Sequence, residues 1–392
     1  MALDPSTRLI LTLGLGAGAS SLAGRALDPL VGVIGTEFQA TPETVALLAT
    51  AFALPYALVQ PVLGPVGDAI GKLRVIRACL VVLVLALVAS AFSPDLATLA
   101  ILRVIGGGAA GGVFPLAIAA VGDGVPMERR QVALSRLLVA GLTGAVMGGA
   151  LGAAAAPLIG WRGVQLVCAG VALAGFVVLW GRRDAGTSRR LDIAEVMVRY
   201  GGILRLAAAR VLYAAVFLEG VLLFGIFPFL APIFVERGLA GPSGGITEAG
   251  LSVTFYAFGG FVFAALAPFM LSRLGQVRMI RLGGCFGALG LCALALAPAA
   301  FVAIGACLVI GLGFYMVHSS IQTRVTEVAP TARGTAVALH AFSFFLGQSL
   351  GPVAMGAMRA ALGPQPALLA TAAGICVLAM WLAPRGSRPP NR

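Results

Sequence analysis

Residues 64–74 read Gly64-Pro-Val-Gly-Asp68-Ala-Ile-Gly71-Lys72-Leu-Arg74, a short polar turn between the apolar runs 44–63 and 76–93. A turn of this kind between two runs of about 20 apolar residues is the pattern of consecutive membrane-spanning helices. Working outward, ten more such runs can be drawn, at about 9–34, 97–121, 133–158, 163–180, 208–234, 249–270, 279–297, 300–322, 335–361 and 366–383. None alternates with the two-residue period of a strand. Since lipid offers no partner for free backbone groups, the runs are read as helices. The run at 9–34 follows Arg8 and is read as a retained helix rather than a cleaved signal peptide.

Composition supports that reading. Residues of the AVILMFWYC set make up 59% of the 392, and charged residues only 11%. The mean hydropathy is +1.00. A water-soluble surface needs roughly 25% charged residues. Ordinary soluble enzymes, disordered tails and secreted disulfide scaffolds are thereby excluded. The net charge of +12 does not indicate nucleic acid, because the basic residues lie in short clusters between apolar runs. The six cysteines fall within those runs without a CxxC pair, and only two histidines are present. They are read as packing, with no metal, disulfide or cofactor site. The glycine strings at 14–18 and 106–112 follow no strand, so they are read as helix-packing positions rather than a nucleotide loop.

Arginine and lysine mark the cytoplasmic side of membrane proteins. With the amino terminus inside, only Arg162, Arg237 and Arg359 fall outside, while Arg25 and Arg103 fall within spans. The chain is therefore expected in the plasma (inner) membrane with both termini cytoplasmic. A polar interruption over 182–207 separates a six-span bundle at 1–181 from a second at 208–384, and 385–392 forms a tail. Part of the interruption, LDIAEVMVRYGGILR, is expected to form a short amphipathic helix. The halves also repeat at an offset of 204, which pairs Gly71 with Gly275, Arg74 with Arg278, Gly107 with Gly311, Pro126 with Pro330, Arg129 with Arg333 and Gly152 with Gly356. Duplicated halves of this kind are a transporter architecture.

Gly64, Asp68, Gly71 and Lys72 match the signature loop G-x-x-x-D-R-x-G-R-K of the major facilitator superfamily, which the chain resembles along essentially its whole length. Ala69 replaces the usual arginine, and the last basic residue is displaced to Arg74. Gly64 is expected to allow close helix approach, and Lys72 or Arg74 to pair with Asp123. The resemblance implies that Asp68 faces the amino end of the eleventh helix, near 331–335. Arg103-Val-Ile-Gly106-Gly107 is similar to the family's R-x-x-Q-G. Gly144-x-x-x-Gly148-Gly149-x-x-Gly152-Ala153, trailed by Gly160-Trp161-Arg162, resembles the drug:proton antiporter pattern, with Gly149 in place of proline. The implied fold is all-α and polytopic, with twelve transmembrane helices in two six-helix pseudo-symmetric bundles.

Charges inside a membrane are costly and mark function. Arg25 and Asp28 share a helix face, and Arg103 lies at a similar depth, so acid and second arginine are expected to meet. Glu219 is the other ionisable candidate, either as a proton site or as a helix–helix bond. Tyr213, His318, Gln322, His340 and Gln348 are candidate cavity residues, the histidines read first as polar packing. Phe224, Phe227 and Phe229 are read as packing. The expected protein is a monomeric secondary carrier of small organic molecules, not an enzyme, working by alternating access in lipid. Proton-coupled efflux is the favoured task. Alternatives are proton-linked uptake or exchange of an organic anion, and a non-transporting receptor.

Overall fold

The computed structural model describes residues 5–125, 127–182, 193–329 and 332–385. Among them the chain is helical throughout, with no strand. In chain order the helices are α1 (Pro5–Arg25), α2 (Val31–Phe38), α3 (Pro42–Ile70), α4 (Lys72–Ala91), α5 (Leu96–Gly124), α6 (Met127–Leu179) and α7 (Ile193–Arg205). They continue with α8 (Ala207–Phe224), α9 (Leu230–Glu236), α10 (Ile246–Leu296), α11 (Ala300–Val328), α12 (Arg333–Leu362) and α13 (Pro364–Arg385). Eleven helical stretches among the described residues are long and apolar enough to cross a membrane. One of them, Val139–Leu179, is 41 residues long and is divided by Gly160, which leaves the helical region (φ 70, ψ 168). It supplies two spans, so the twelve expected from the sequence are present.

The chain forms two compact units, residues 1–39 with 51–196 and residues 40–50 with 197–392. Of the polar interruption, α7 is helical as expected, with Ile203 buried while Met197 and Val198 are exposed. Residues 183–192 and the tail from 386 lie outside the described residues, as does Thr331 ahead of α12.

Spans one and seven are each broken by a turn, the two turns lying 199 residues apart rather than 204. A 3-10 turn at Asp28–Leu30 separates α1 from α2, and another at Phe227–Phe229 separates α8 from α9. Each contains a proline, which has no N–H to continue the helical ladder. The sequence repeat is also a conformational repeat. Gly71 and Gly275, one repeat apart, both adopt positive φ (104° and 66°), a region other residues rarely enter.

Packing follows from the solvent. Lipid gives helices no hydrophobic reason to associate, so close backbone approach must supply the contact. In the first unit α1 lies against α6. A Cβ on Gly144, Gly148 or Gly152 would collide with the carbonyl of Gly18, Leu22 or Ala26 in turn. The antiporter-like glycine pattern is thus a row of four-residue steps on α6 that matches four-residue steps on α1. Gly107 meets the Phe52 carbonyl in the same manner, and its repeat partner Gly311 meets the carbonyl of Tyr256, the repeat partner of Phe52. The signature loop departs from expectation. A Cβ at Gly64 would meet nothing within 4 Å, whereas one at Gly67 would collide with Leu116. The tight position falls three residues later, because that is where α3 crosses the Leu116 side chain. Large apolar side chains left exposed, such as Leu85, Leu158 and Phe301, face hydrocarbon rather than water.

Gly107→Ala and Gly311→Ala are each expected to lower the thermal unfolding midpoint of the purified protein. Overpacking against rigid backbone costs about 1–3 kcal/mol. Gly170→Ala, where a Cβ meets nothing within 4 Å, should leave the midpoint unchanged or raise it. Equal midpoints for all three variants would mean that the carbonyl contacts do not hold the helices.

Candidate functional site

The break after α1 positions the first cluster. Helix ends leave their last carbonyls without intrahelical donors, which in lipid is costly. Arg103 of α5 supplies donors to two of them. Its Nη1 donates to Ala23 O at 2.9 Å and its Nη2 to Gly24 O at 3.3 Å. The guanidinium carbon lies 4.2 Å from the centre of the Phe52 ring, a cation–π distance. A positive charge at a helix carboxyl end also suits the helix dipole. Asp28, in the turn just beyond, is 4% exposed. It accepts from Arg25 Nη1 at 3.0 Å. Asp28 and Arg103 are brought near enough for their charges to interact, as expected; Asp28 bonds to Arg25, and Arg103 holds the helix end on which both depend.

The second cluster lies in the other unit. Glu219 of α8 is fully buried, and its Oε2 is 2.8 Å from Nδ1 of His318 on α11. His340 of α12 has its ring centre 5.2 Å from that of His318. The structure thus brings together three residues that the sequence reading treated separately. Tyr213 donates to Ala336 O at 3.1 Å, tying α8 to α12. Gln322 is exposed and Gln348 half-buried, and among the described residues neither bonds to Glu219 or to a histidine. Phe224 and Phe227 pack with Tyr256, Phe314 and Phe344 in a continuous aromatic cluster.

The signature loop forms a third cluster. Lys72 Nζ lies 2.9 Å from Asp68 and 2.5 Å from Asp123, so the lysine of the expected pair makes the link. Arg74 instead donates to Ile70 O at 3.4 Å. Ser272, in the aspartate's place in the second half, donates to Phe269 O at 2.9 Å. Nearby Gln276, the repeat partner of Lys72, accepts from buried Arg324 at 3.2 Å.

Two ionic anchors were not singled out from sequence. Glu37 accepts from Trp161 Nε1 at 2.6 Å and pairs with Arg162, giving the trailing Gly160-Trp161-Arg162 a partner. Arg359 Nη2 donates to Glu236 at 2.6 Å, with Glu43 3.6 Å from its Nε. A tryptophan–arginine pair beside an apolar run was the available signal for the first; neither acid has one. Outside the spans, Asp95 caps α5 by accepting from the Thr98 amide at 2.7 Å, which holds its carboxyl below the usual range. No three metal-ligating side chains converge among the described residues.

The model of the Major Facilitator Superfamily matches residues 13–352. The chain belongs to that superfamily. Among its relatives, the uncharacterised superfamily transporter YfhI of Bacillus subtilis is 24% identical over 81% of this chain and 78% of its own. A gallate transporter of Pseudomonas putida is 25% identical over 72% of this chain and 69% of its own. The fold is shared with a bacterial homologue of the human lysosomal transporter Spinster, at a TM-score of 0.78, 17% identity and 98% coverage of both chains. This major facilitator chain is accordingly a multi-pass membrane transporter rather than an enzyme, and its small-molecule substrate is its cargo.

Two substitutions separate the buried from the exposed charges. Lys72→Met removes contacts to partly exposed acids (54% and 36%). Such pairs contribute only about 0.2–1 kcal/mol each, so a shift of a few degrees at most is expected in the unfolding midpoint. Arg103→Met strands two carbonyls at the end of α1, at about 1–3 kcal/mol for each unsatisfied group, and should destabilise far more. The reverse ranking would mean that α1 needs no support at its break.

Proposed function

We propose that this transporter is a proton-coupled carrier that exports small organic molecules by alternating access, with Asp28 as its coupling carboxylate. Asp28 itself is the observation that carries the reading. It is a carboxyl buried within a span, at a helix break, with an arginine 3.0 Å away. Ionisable groups in this position are costly and are the usual sites of proton relays. The glycine row of Gly144, Gly148 and Gly152, with its trailing Trp161 and Arg162, supports the antiporter branch. The clustering of arginines supports an amino terminus on the cytoplasmic side of the plasma (inner) membrane.

Uptake or exchange of an organic anion is a second reading. It is favoured by the excess of Arg25 and Arg103 over Asp28 and by the cargo named for the P. putida relative. Arg103, however, is engaged with Ala23 O, Gly24 O and the Phe52 ring. That engagement favours a supporting task over recognition of an anion, and with it the first reading.

The test is flux in proteoliposomes under an imposed pH gradient, with a panel of lipophilic cations and organic anions. Wild-type protein should move a member of the panel against its gradient when protons flow the other way. Asp28→Asn, which mimics the protonated carboxyl, should lose gradient-driven flux and keep substrate counterflow. Wild-type flux that ignores both the gradient and protonophores would remove proton coupling. Binding without any flux would leave a receptor.

A further inference from the structure

The Glu219 cluster answers to no helix end and no signature motif. Its members come from α8, α11 and α12, which pack on one another within the second unit. Glu219 Oε2 is bonded to His318, while Oε1 is buried without a hydrogen-bond partner among the described residues. His340 is 3% exposed, and its Nε2 is likewise buried without a partner. The His318 ring packs against Phe314 and Phe344, at 4.9 and 4.8 Å between centres, and its side chain is 18% exposed.

The surrounding groups leave histidine as the charge partner. Tyr213 on α8 is engaged with Ala336 O. Tyr256 of α10 and Tyr315 of α11 pack on Phe314. On α11, Arg324 is bonded to Gln276; on α12, Arg359 is bonded to Glu236. Cys376 is the one ionisable residue among the described side chains of α13. No arginine or lysine pairs with Glu219 among the described residues.

That distinction decides the chemistry. Arginine holds its proton at all working pH values, whereas imidazole exchanges it near neutrality. A carboxyl and an imidazole joined by one hydrogen bond share one proton, as carboxylate–imidazolium or as acid–imidazole. We propose that Glu219, His318 and His340 form a second proton-exchange site, separate from Asp28, in which the Glu219–His318 pair takes up a proton and His340 is the next base on its path. Uptake forms one O–H bond on the unpartnered Oε1 and breaks one in hydronium, which leaves as water. His318 then keeps its own proton or yields it toward His340. The proposal rests on the proton-coupled reading above, and it adds a site at which coupling protons are held.

The test reads protonation rather than transport. Protein in liposomes, without substrate, is titrated and followed by infrared difference spectroscopy. A carboxylic-acid carbonyl band should appear on acidification, vanish in Glu219→Gln and persist in Asp28→Asn. In His318→Gln its midpoint should move by about one pH unit or more, a tenfold change in proton affinity, and in His340→Gln by a smaller amount. A band that survives Glu219→Gln, or a midpoint unmoved in His318→Gln, overturns the proposal. An unmoved midpoint in His340→Gln overturns its three-residue form. If Glu219→Gln fails to fold, the His318→Gln midpoint decides. Failure of proton-driven flux in the wild type would sink the coupling reading and leave this band in place, so the two outcomes are separable.

Discussion

The hold of Arg103 on the carbonyls of Ala23 and Gly24 is the contact on which the first unit depends. A span interrupted by Asp28-Pro29 leaves backbone acceptors without their intrahelical donors. Without a donor from another helix, the break would be too costly to keep. With it, the chain can place a carboxyl inside the membrane on a turn rather than on a continuous helix. The same arginine ties α5 to α1, while Gly107 brings α5 against Phe52 on α3. Three helices are thereby registered by one guanidinium and one missing side chain.

The second half keeps the framework and discards the charges. One repeat on from Gly107 stands Gly311, and one repeat on from Phe52 stands Tyr256, with the same carbonyl contact between them. One repeat on from Arg103, however, stands Cys307, and one repeat on from Asp28 stands Pro232. The turn at Phe227–Phe229 carries no ionisable residue. Among the ionisable groups of that half, Glu219, His318 and His340 stand one repeat on from Leu15, Phe114 and Arg136. The glycine contacts repeat between the halves, whereas Asp28 and Arg103 in one and Glu219 and His318 in the other have no charged counterpart at the same offset.

This division explains what could be read from the chain alone. Spans are legible because hydrocarbon thickness fixes their length, and the repeat is legible because glycine and proline answer to backbone geometry. The link from Lys72 to Asp123 was within reach because Lys72 lies in a recognisable loop pattern and Asp123 at the end of a span, α5. The acceptors of Arg103 were not, since a backbone carbonyl has no letter in the sequence. Nor was the meeting of Glu219 with His318, separated by 99 positions, because its geometry depends on how α8 and α11 are rotated about their axes. Gly64 shows the converse. A motif glycine was assigned a close approach that this arrangement of α3 gives to Gly67 instead.

The two buried acids also differ in what a shift of helices would do to them. Arg25 and Asp28 are three residues apart on one segment, so that pair travels as a unit, and a displacement of α1 against α5 acts on Asp28 through the Arg103 charge instead. Glu219 and His318 lie on different helices, and their bond has the narrow distance tolerance of any hydrogen bond. A slide of α8 along α11 by a fraction of a helical turn breaks it and leaves an acid without its base in an apolar setting. Burial then favours the neutral, protonated carboxyl over the charged one. A hydrogen bond between helices is therefore sensitive to helix position in a way that one within a single segment is not. The two acids thus answer helix movement by different routes: Asp28 through its distance from the Arg103 charge on α5, and Glu219 through its bond to His318 on α11.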